Sequence, residues 1–247
     1  MDEALTADPS IPRYVVGSLG PTNKTASISP DVSDPGARNV SYDELVAAYR
    51  EQAQGLIDGG AEVLAVETCQ DILQVKCAIN ACLEALKERN KTTDDVPIMV
   101  SVTIETTGTM LVGTSIEAAA SVLSQYPIMS LGLNCATGPA EMADHIHFLG
   151  KHWGARSSAL HGRVVSVVPN AGLPVLLDGK TSYPLRPEPF AEAIGRFIEK
   201  DGVGIVGGCC GTTPEHIGLL VKRVEELSKA GSARTADHAK SVQTPGV

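Results

Sequence analysis

Short apolar runs alternate along this chain with longer stretches whose apolar residues recur every three or four positions. The runs are Tyr14–Ser18, Val63–Glu67, Ile98–Thr103, Ile128–Asn134, Val164–Val168 and Gly204–Gly208. Their length predicts strands, and AEVLAVE and GIVGG are apolar at nearly every position. Such runs suit parallel strands buried on both faces. The stretches between them read as amphipathic helices with start and stop signals. Ser41 and Glu44 form a capping box, and the helix they open is predicted to stop at Gly59-Gly60. Asp71–Arg89 is the longest helical stretch, and Thr114 with Glu117 repeats the box before IEAAASVLSQ. Pro139 opens a helix through Met142 and Ile146, while Phe190–Glu199 ends near Gly202. Thr213-Pro214 supplies an N-cap and a first-turn proline for the last helix, HIGLLVKRVEEL.

Strand, loop and helix recur about every 30–40 residues, the signature of βαβ units with right-handed crossovers. The predicted fold class is therefore α/β, of the (β/α)8 TIM-barrel type. About six of the eight βα units are visible, so the barrel is predicted to be incomplete at its N-terminus. Residues 13–229 are assigned to this partial barrel and residues 1–12 to an N-terminal extension. Residues 230–247 lack periodicity and read as a flexible tail or linker. The loop between Leu19 and Asn39 is long and rich in Pro, Ser and Asp, and long ordered loops are often functional.

Charge and composition narrow the partners. A formal net charge of -9 and a pI near 5.1 argue against contacts with nucleic-acid phosphates. No apolar run approaches the roughly 20 residues needed to span a bilayer. The N-terminus MDEALTADPSIPRY lacks the basic and apolar regions of a signal peptide, so a cytoplasmic location is expected. Six cysteines in such a chain predict burial or metal binding rather than a disulfide framework. Neighbours such as Cys209 and Cys210 could pair with each other only under strain.

The chemically unusual residues share one address. Glu67, Asn134-Cys135, Asn170 and Cys209-Cys210 each lie at the C-terminal end of a predicted parallel strand. That edge holds the active site in parallel α/β sheets and barrels. Cys135, Cys209 and Cys210 offer three thiolates at one mouth, a donor set suited to zinc with one position open. The glycines of GGCCG free the backbone to splay the adjacent pair. The plainer reading is free buried cysteine, which is common. Cys69, Cys77 and Cys82 are read as packing residues. Glu67 either accepts hydrogen bonds from a substrate ammonium or sits in a buried ionic network. Asn170 either satisfies a turn or contacts the metal site. None of the six histidines, His145, His147, His152, His161, His216 and His238, occupies a strand end, so they are expected to be solvated. A nucleotide-binding domain is disfavoured because no GxGxxG or GxxxxGK[ST] pattern occurs.

The segments GLNCATGPAEM, VPNAGLP and IVGGCCGTTPEHI resemble motifs of the zinc-dependent homocysteine S-methyltransferases. RYVVGSLGPTNKTASISPDVSDPGARNVSYDEL, VETCQDILQVKCA and SVTIETTGTMLVGTSIE are similar more narrowly to the homocysteine-binding module of the cobalamin-dependent branch. The similarity covers roughly residues 12–228. It implies Cys135, Cys209 and Cys210 as ligands of Zn²⁺, Glu67 as a contact for the homocysteine amino group, and Asn170 as a neighbour of the metal. It also implies homocysteine as substrate, methylcobalamin as methyl donor, and cobalamin- and folate-binding modules as partners. The family begins with two further strands, the first ending in a DGGMGT-like loop, and nothing here matches them. Two alternatives stand beside this expectation. One is a cobalamin-independent homocysteine methyltransferase using betaine or S-methylmethionine, and the other is a non-catalytic zinc-binding fragment.

Overall fold

The computed structural model describes residues 11–154 and 163–242, with side chains in the final helix as far as residue 230. In chain order the elements are β1 (Val16–Leu19), α1 (Tyr42–Asp58), β2 (Val63–Cys69), α2 (Ile72–Glu88), β3 (Ile98–Val102) and α3 (Ile116–Leu123). There follow β4 (Ser130–Asn134), α4 (Pro139–His152), β5 (Val164–Val168), β6 (Val175–Leu177), β7 (Lys180–Ser182), α5 (Pro187–Asp201), β8 (Ile205–Val206) and α6 (Pro214–Val242). Six strands form one sheet in the order β1-β2-β3-β4-β5-β8, and every pairing is parallel. Strand order follows chain order, so successive helices pack along one side of the sheet. The result is an incomplete TIM-barrel-like fold, a half-barrel of six strands.

The core lies between sheet and helices. Leu45, Tyr49, Ala53 and Ile57 of α1 recur every four residues and are all buried. Val75, Ala78, Ile79, Cys82 and Leu86 of α2 join them, with Leu19, Leu64, Val66, Ile98, Val100 and Val102 from the strands. Burying each Leu, Ile or Phe contributes about 1.5–3 kcal/mol. The caps match the sequence signals at α1, where Ser41 accepts from Glu44 N–H and Glu44 reaches back to Ser41 N–H. Gly202 ends α5 in the left-handed conformation that glycine adopts without a Cβ clash.

Four local expectations are corrected. Helix α3 is capped by Ser115, which accepts from Ala118 N–H, rather than by Thr114. The antiparallel hairpin β6–β7 interrupts the βα rhythm after β5. Its turn residues Asp178 and Gly179 both have positive φ (49° and 73°), as a two-residue primed turn demands. Helix α6 runs on to Val242, past Lys229, where the apolar period stops. Alanine, lysine and arginine favour a helix by intrinsic propensity. Burial on both faces holds along the whole of β4 but not at β1, where Val16 and Ser18 are exposed and Gly17 and Leu19 are buried. An open sheet leaves one face of its edge strand uncovered.

Candidate metal centre

The ends of β4 and β8 flank the end of β5, and both cysteine-bearing turns hang from it. Cys135 N–H donates to Val168 O (3.2 Å) and Cys209 N–H to Pro169 O (2.8 Å). Cys210 N–H donates to Asn170 Oδ1 (3.1 Å), while Ala171 N–H donates to Cys210 O (2.9 Å). Asn170 N–H in turn donates to Thr137 O (3.1 Å), joining the first turn to the second. Beyond Asn134 the chain takes two successive left-handed residues, Cys135 (φ 61°) and Ala136 (φ 54°). Each costs about 1–2 kcal/mol outside glycine, a strain that such hydrogen bonds must hold in place.

These turns gather three sulfurs. Cys135 Sγ lies 3.8 Å from Cys210 Sγ, and Cys209 Sγ lies 4.0 Å from Cys210 Sγ. All three fall within 4.8 Å of one another, and among the described residues they are the group of His, Cys, Asp or Glu side chains able to share an ion. A disulfide needs about 2.05 Å, so none is formed. Tetrahedral zinc with bonds of about 2.3 Å separates its sulfur ligands by roughly 3.8 Å, and the two measured spacings fit that edge. Burial pushes the Cys209 thiol up to about 12, with the neighbouring Cys135 charge adding to it. Burial also raises Cys135. Cys135 and Cys209 therefore keep their protons until a cation compensates their charge. Cys135 and Cys209 are half-buried and Cys210 is exposed, so the group opens toward solvent.

Glu67 stands at the end of β2, half-buried, and accepts a hydrogen bond from Ser18 Oγ across the sheet. It is not among the three sulfurs, but a polar bridge joins its strand end to theirs. Thr68, next in the chain, has φ 61°, an outlier for a β-branched residue. Its N–H donates to Asn134 Oδ1 (3.0 Å), and Asn134 Nδ2 donates to Thr68 Oγ1 (2.7 Å). The carbonyl of Asn134 also accepts from Thr103 Oγ1 (3.1 Å). Asn134 is thus a buried brace between the end of β2 and Cys135, a role its position at a strand end hinted at but did not define. Asn170 is buried as well, and it holds the Cys210 backbone.

Cys69, Cys77 and Cys82 are fully buried, and burial raises their thiols to about 12, 11 and 12. They remain protonated packing groups. The expectation for the histidines fails at His216, which is buried. Its Nε2 lies 2.9 Å from Leu185 O, and Nδ1 accepts from Thr213 N–H (3.2 Å). A carbonyl only accepts, so Nε2 carries the proton and the ring is neutral. It thereby completes the cap of α6 in place of the usual acidic residue. His147 and His152 are exposed and His145 is half-buried; His161 and the side chain of His238 lie outside the described residues.

Residues 1–224 match the sequence profile of the family described as Homocysteine S-methyltransferase. The chain belongs to that family. Over 237 residues it is 45% identical to a methionine synthase of Mycobacterium leprae (strain TN), covering 96% of this chain and 18% of the relative. Over 221 residues it is 42% identical to a methionine synthase of Mycobacterium tuberculosis (strain ATCC 25618 / H37Rv), covering 90% and 17%. The chain thus spans less than a fifth of the length of these curated relatives. The solved homocysteine methyltransferase MmuM of Escherichia coli shares its fold at a TM-score of 0.62 and 22% identity in both apo and metallated forms. Those alignments cover 90% of this chain and 67% or 65% of MmuM. This homocysteine S-methyltransferase domain has no helix, among its described residues, long and apolar enough to cross a membrane.

Proposed function

We propose that this chain is the homocysteine-activating module of a methionine synthase, with Cys135, Cys209 and Cys210 as the ligands of a catalytic zinc ion. The spacing of the three sulfurs carries the reading, because it suits a tetrahedral ion with one position left for a substrate. Zinc held there would supply the acidity that converts an incoming thiol to thiolate at neutral pH. Three cysteine thiolates outweigh the charge of a divalent ion, so a fourth sulfur beside them stays electron-rich.

The residues of this chain do the positioning. Glu67 accepts hydrogen bonds from the ammonium of homocysteine, and Ser18 fixes that carboxylate. Asn134 and Asn170 brace the turns that aim the sulfurs. Methylcobalamin carried by another module would supply the methyl group, and the residues named here would hold the homocysteine sulfur ready to receive it. Cobalamin- and folate-binding modules present the donor, in keeping with relatives more than five times as long as the aligned segment. Their name, methionine synthase, favours this donor class over betaine or S-methylmethionine.

Cys209→Ala tests the assignment in the chain joined to its donor modules. Loss of bound zinc together with loss of homocysteine-dependent methyl transfer is expected. Stoichiometric zinc with full transfer would show the assignment to be wrong.

A further inference from the structure

The two ends of the half-barrel differ in what they show to solvent. Three βα loops, all at the edge that holds the sulfurs, carry exposed aliphatic side chains. These are Ile28 and Val32 between β1 and α1, Leu111 between β3 and α3, and Val175, Leu176 and Leu177 between β5 and α5. The described αβ loops at the opposite edge, residues 59–62, 89–97, 124–129 and 202–204, carry no exposed large hydrophobic. A single exposed leucine is ordinary on a protein surface. Three in succession on β6, with Leu176 74% exposed, form a patch of the kind that marks a contact site.

Each loop is tied down behind its aliphatic residues. The excursion that carries β6 and β7 is closed at its base, where Leu185 N–H donates to Ala171 O (2.9 Å). Ala171 N–H donates in turn to Cys210 O (2.9 Å), so the hairpin is rooted on a cysteine turn. In the β1–α1 loop, Ser27 Oγ donates to the buried Asp71 carboxylate (2.8 Å), and the buried Gln74 amide donates to Thr22 Oγ1 (2.7 Å). Ser29 Oγ donates to Asp34 O (2.6 Å), closing the turn that contains Val32. In the β3–α3 loop, Met110 is buried and its N–H donates to Thr114 O (2.8 Å), while Leu111 is left 63% exposed. A surface ordered before it binds loses less entropy on binding.

We propose that this rim, with Leu176 and Leu177 as its main contacts, is the surface on which the protein module carrying the methyl donor docks. The inference rests on the reading of the chain as one module of a methionine synthase. The rim shares its edge with the three sulfurs, so a partner seated on it stands over the homocysteine thiolate. The curated relatives are more than five times as long as the aligned segment, which leaves protein modules to be seated. A small cationic donor is held by polar and aromatic groups, whereas aliphatic side chains suit burial under a protein surface. A second copy on the same rim would shut the donor out.

Calorimetric titration of the zinc-loaded chain with the methylcobalamin-carrying module tests the assignment, with homocysteine withheld so that no turnover occurs. Leu176→Ser together with Leu177→Ser is expected to weaken binding at least about tenfold, the worth of one buried leucine. The heat-capacity change of binding should also become less negative. Leu111→Ser, on a separate loop, should weaken binding in the same direction. Zinc content and homocysteine affinity should stay within about twofold of the wild-type chain. Unchanged module binding by L176S/L177S overturns the inference, as does a wild-type chain that binds zinc and homocysteine but not the module. Reduced self-association of L176S/L177S in sedimentation, with module binding intact, overturns it too, because the hairpin would then meet a second copy. Loss of zinc or homocysteine by L176S/L177S also overturns it, since the hairpin would then be supporting the centre. A wild-type chain that binds neither zinc nor homocysteine defeats the underlying reading instead.

Discussion

Asn134 makes the sharpest energetic prediction. Its carboxamide is buried and spends both ends on Thr68, accepting from the amide at 3.0 Å and donating to the hydroxyl at 2.7 Å. Asn134→Ala strands the Thr68 N–H, at a cost of about 1–3 kcal/mol for an unsatisfied donor. The hydroxyl can rotate toward other partners and adds less, about 0.5–1 kcal/mol. Thr68 is half-buried, which allows partial rehydration, so the sum settles near 2–3 kcal/mol. Part of that loss can be recovered if Thr68 relaxes from its left-handed φ of 61°, a release of about 1–2 kcal/mol. Relaxation would swing Glu67 away, and the penalty would move from stability to homocysteine affinity. Urea unfolding at matched protein concentration reads the first, and calorimetric titration with homocysteine reads the second. Asn134→Asp retains the acceptor for the amide and should recover more than half of the loss. If Asn134→Ala costs less than about 0.5 kcal/mol and leaves homocysteine binding unchanged, the brace is not what holds the strand ends.

Three further outcomes follow from the same geometry. Glu67→Gln should weaken homocysteine about 10- to 100-fold, the value of a charge-assisted hydrogen bond, and leave zinc content intact; equal affinity by calorimetry would remove Glu67 from the site. Zinc affinity should fall as pH falls, because burial raises the Cys135 and Cys209 thiols and metal must displace their protons. All three cysteines bind as thiolates, and an ordinary thiol is mostly protonated below about pH 8.5, so with about three protons released per ion apparent affinity changes about 1,000-fold per pH unit; competition with a chromophoric chelator from pH 6 to 8 reads the slope, and a flat profile would contradict it. The chain by itself should associate, since Val16 on the β1 edge is 50% exposed and Val221 on α6 is also 50% exposed. Open parallel edges and apolar patches favour pairing, so a monodisperse monomer with cooperative melting would refute that expectation.

Most of the framework was legible because parallel topology converts sequence position into place. Once Glu67, Cys135, Asn170 and Cys209-Cys210 are put at strand ends, they must share one edge of the sheet, and sequential strand order brings β4, β5 and β8 side by side. Apolar periodicity likewise located the helices, since each buries a single face. What escaped depends on tertiary hydrogen bonds. Tyr183 packs against Gly211, next to Cys210, where Leu185 is fastened to Ala171 and His216. Nothing in KTSYPL signals that path. The Asp178-Gly179 dipeptide suits a hairpin turn, but its strands are three residues each and carry no clear alternation, so the hairpin was not expected. His216 reads as a solvated helix residue by spacing alone, yet it caps α6 from a buried position. Likewise, the spacing of Thr114 and Glu117 favours Thr114 as the cap, yet the local backbone decides for Ser115.

Zinc K-edge X-ray absorption on the metal-loaded chain, before and after addition of homocysteine, tests the central claim most directly. Three sulfur scatterers at about 2.3 Å are expected without the amino acid, rising to four when it binds. Fewer than three sulfurs at the outset, or a count that does not change with homocysteine, would contradict a cysteine-held ion that receives the substrate's sulfur.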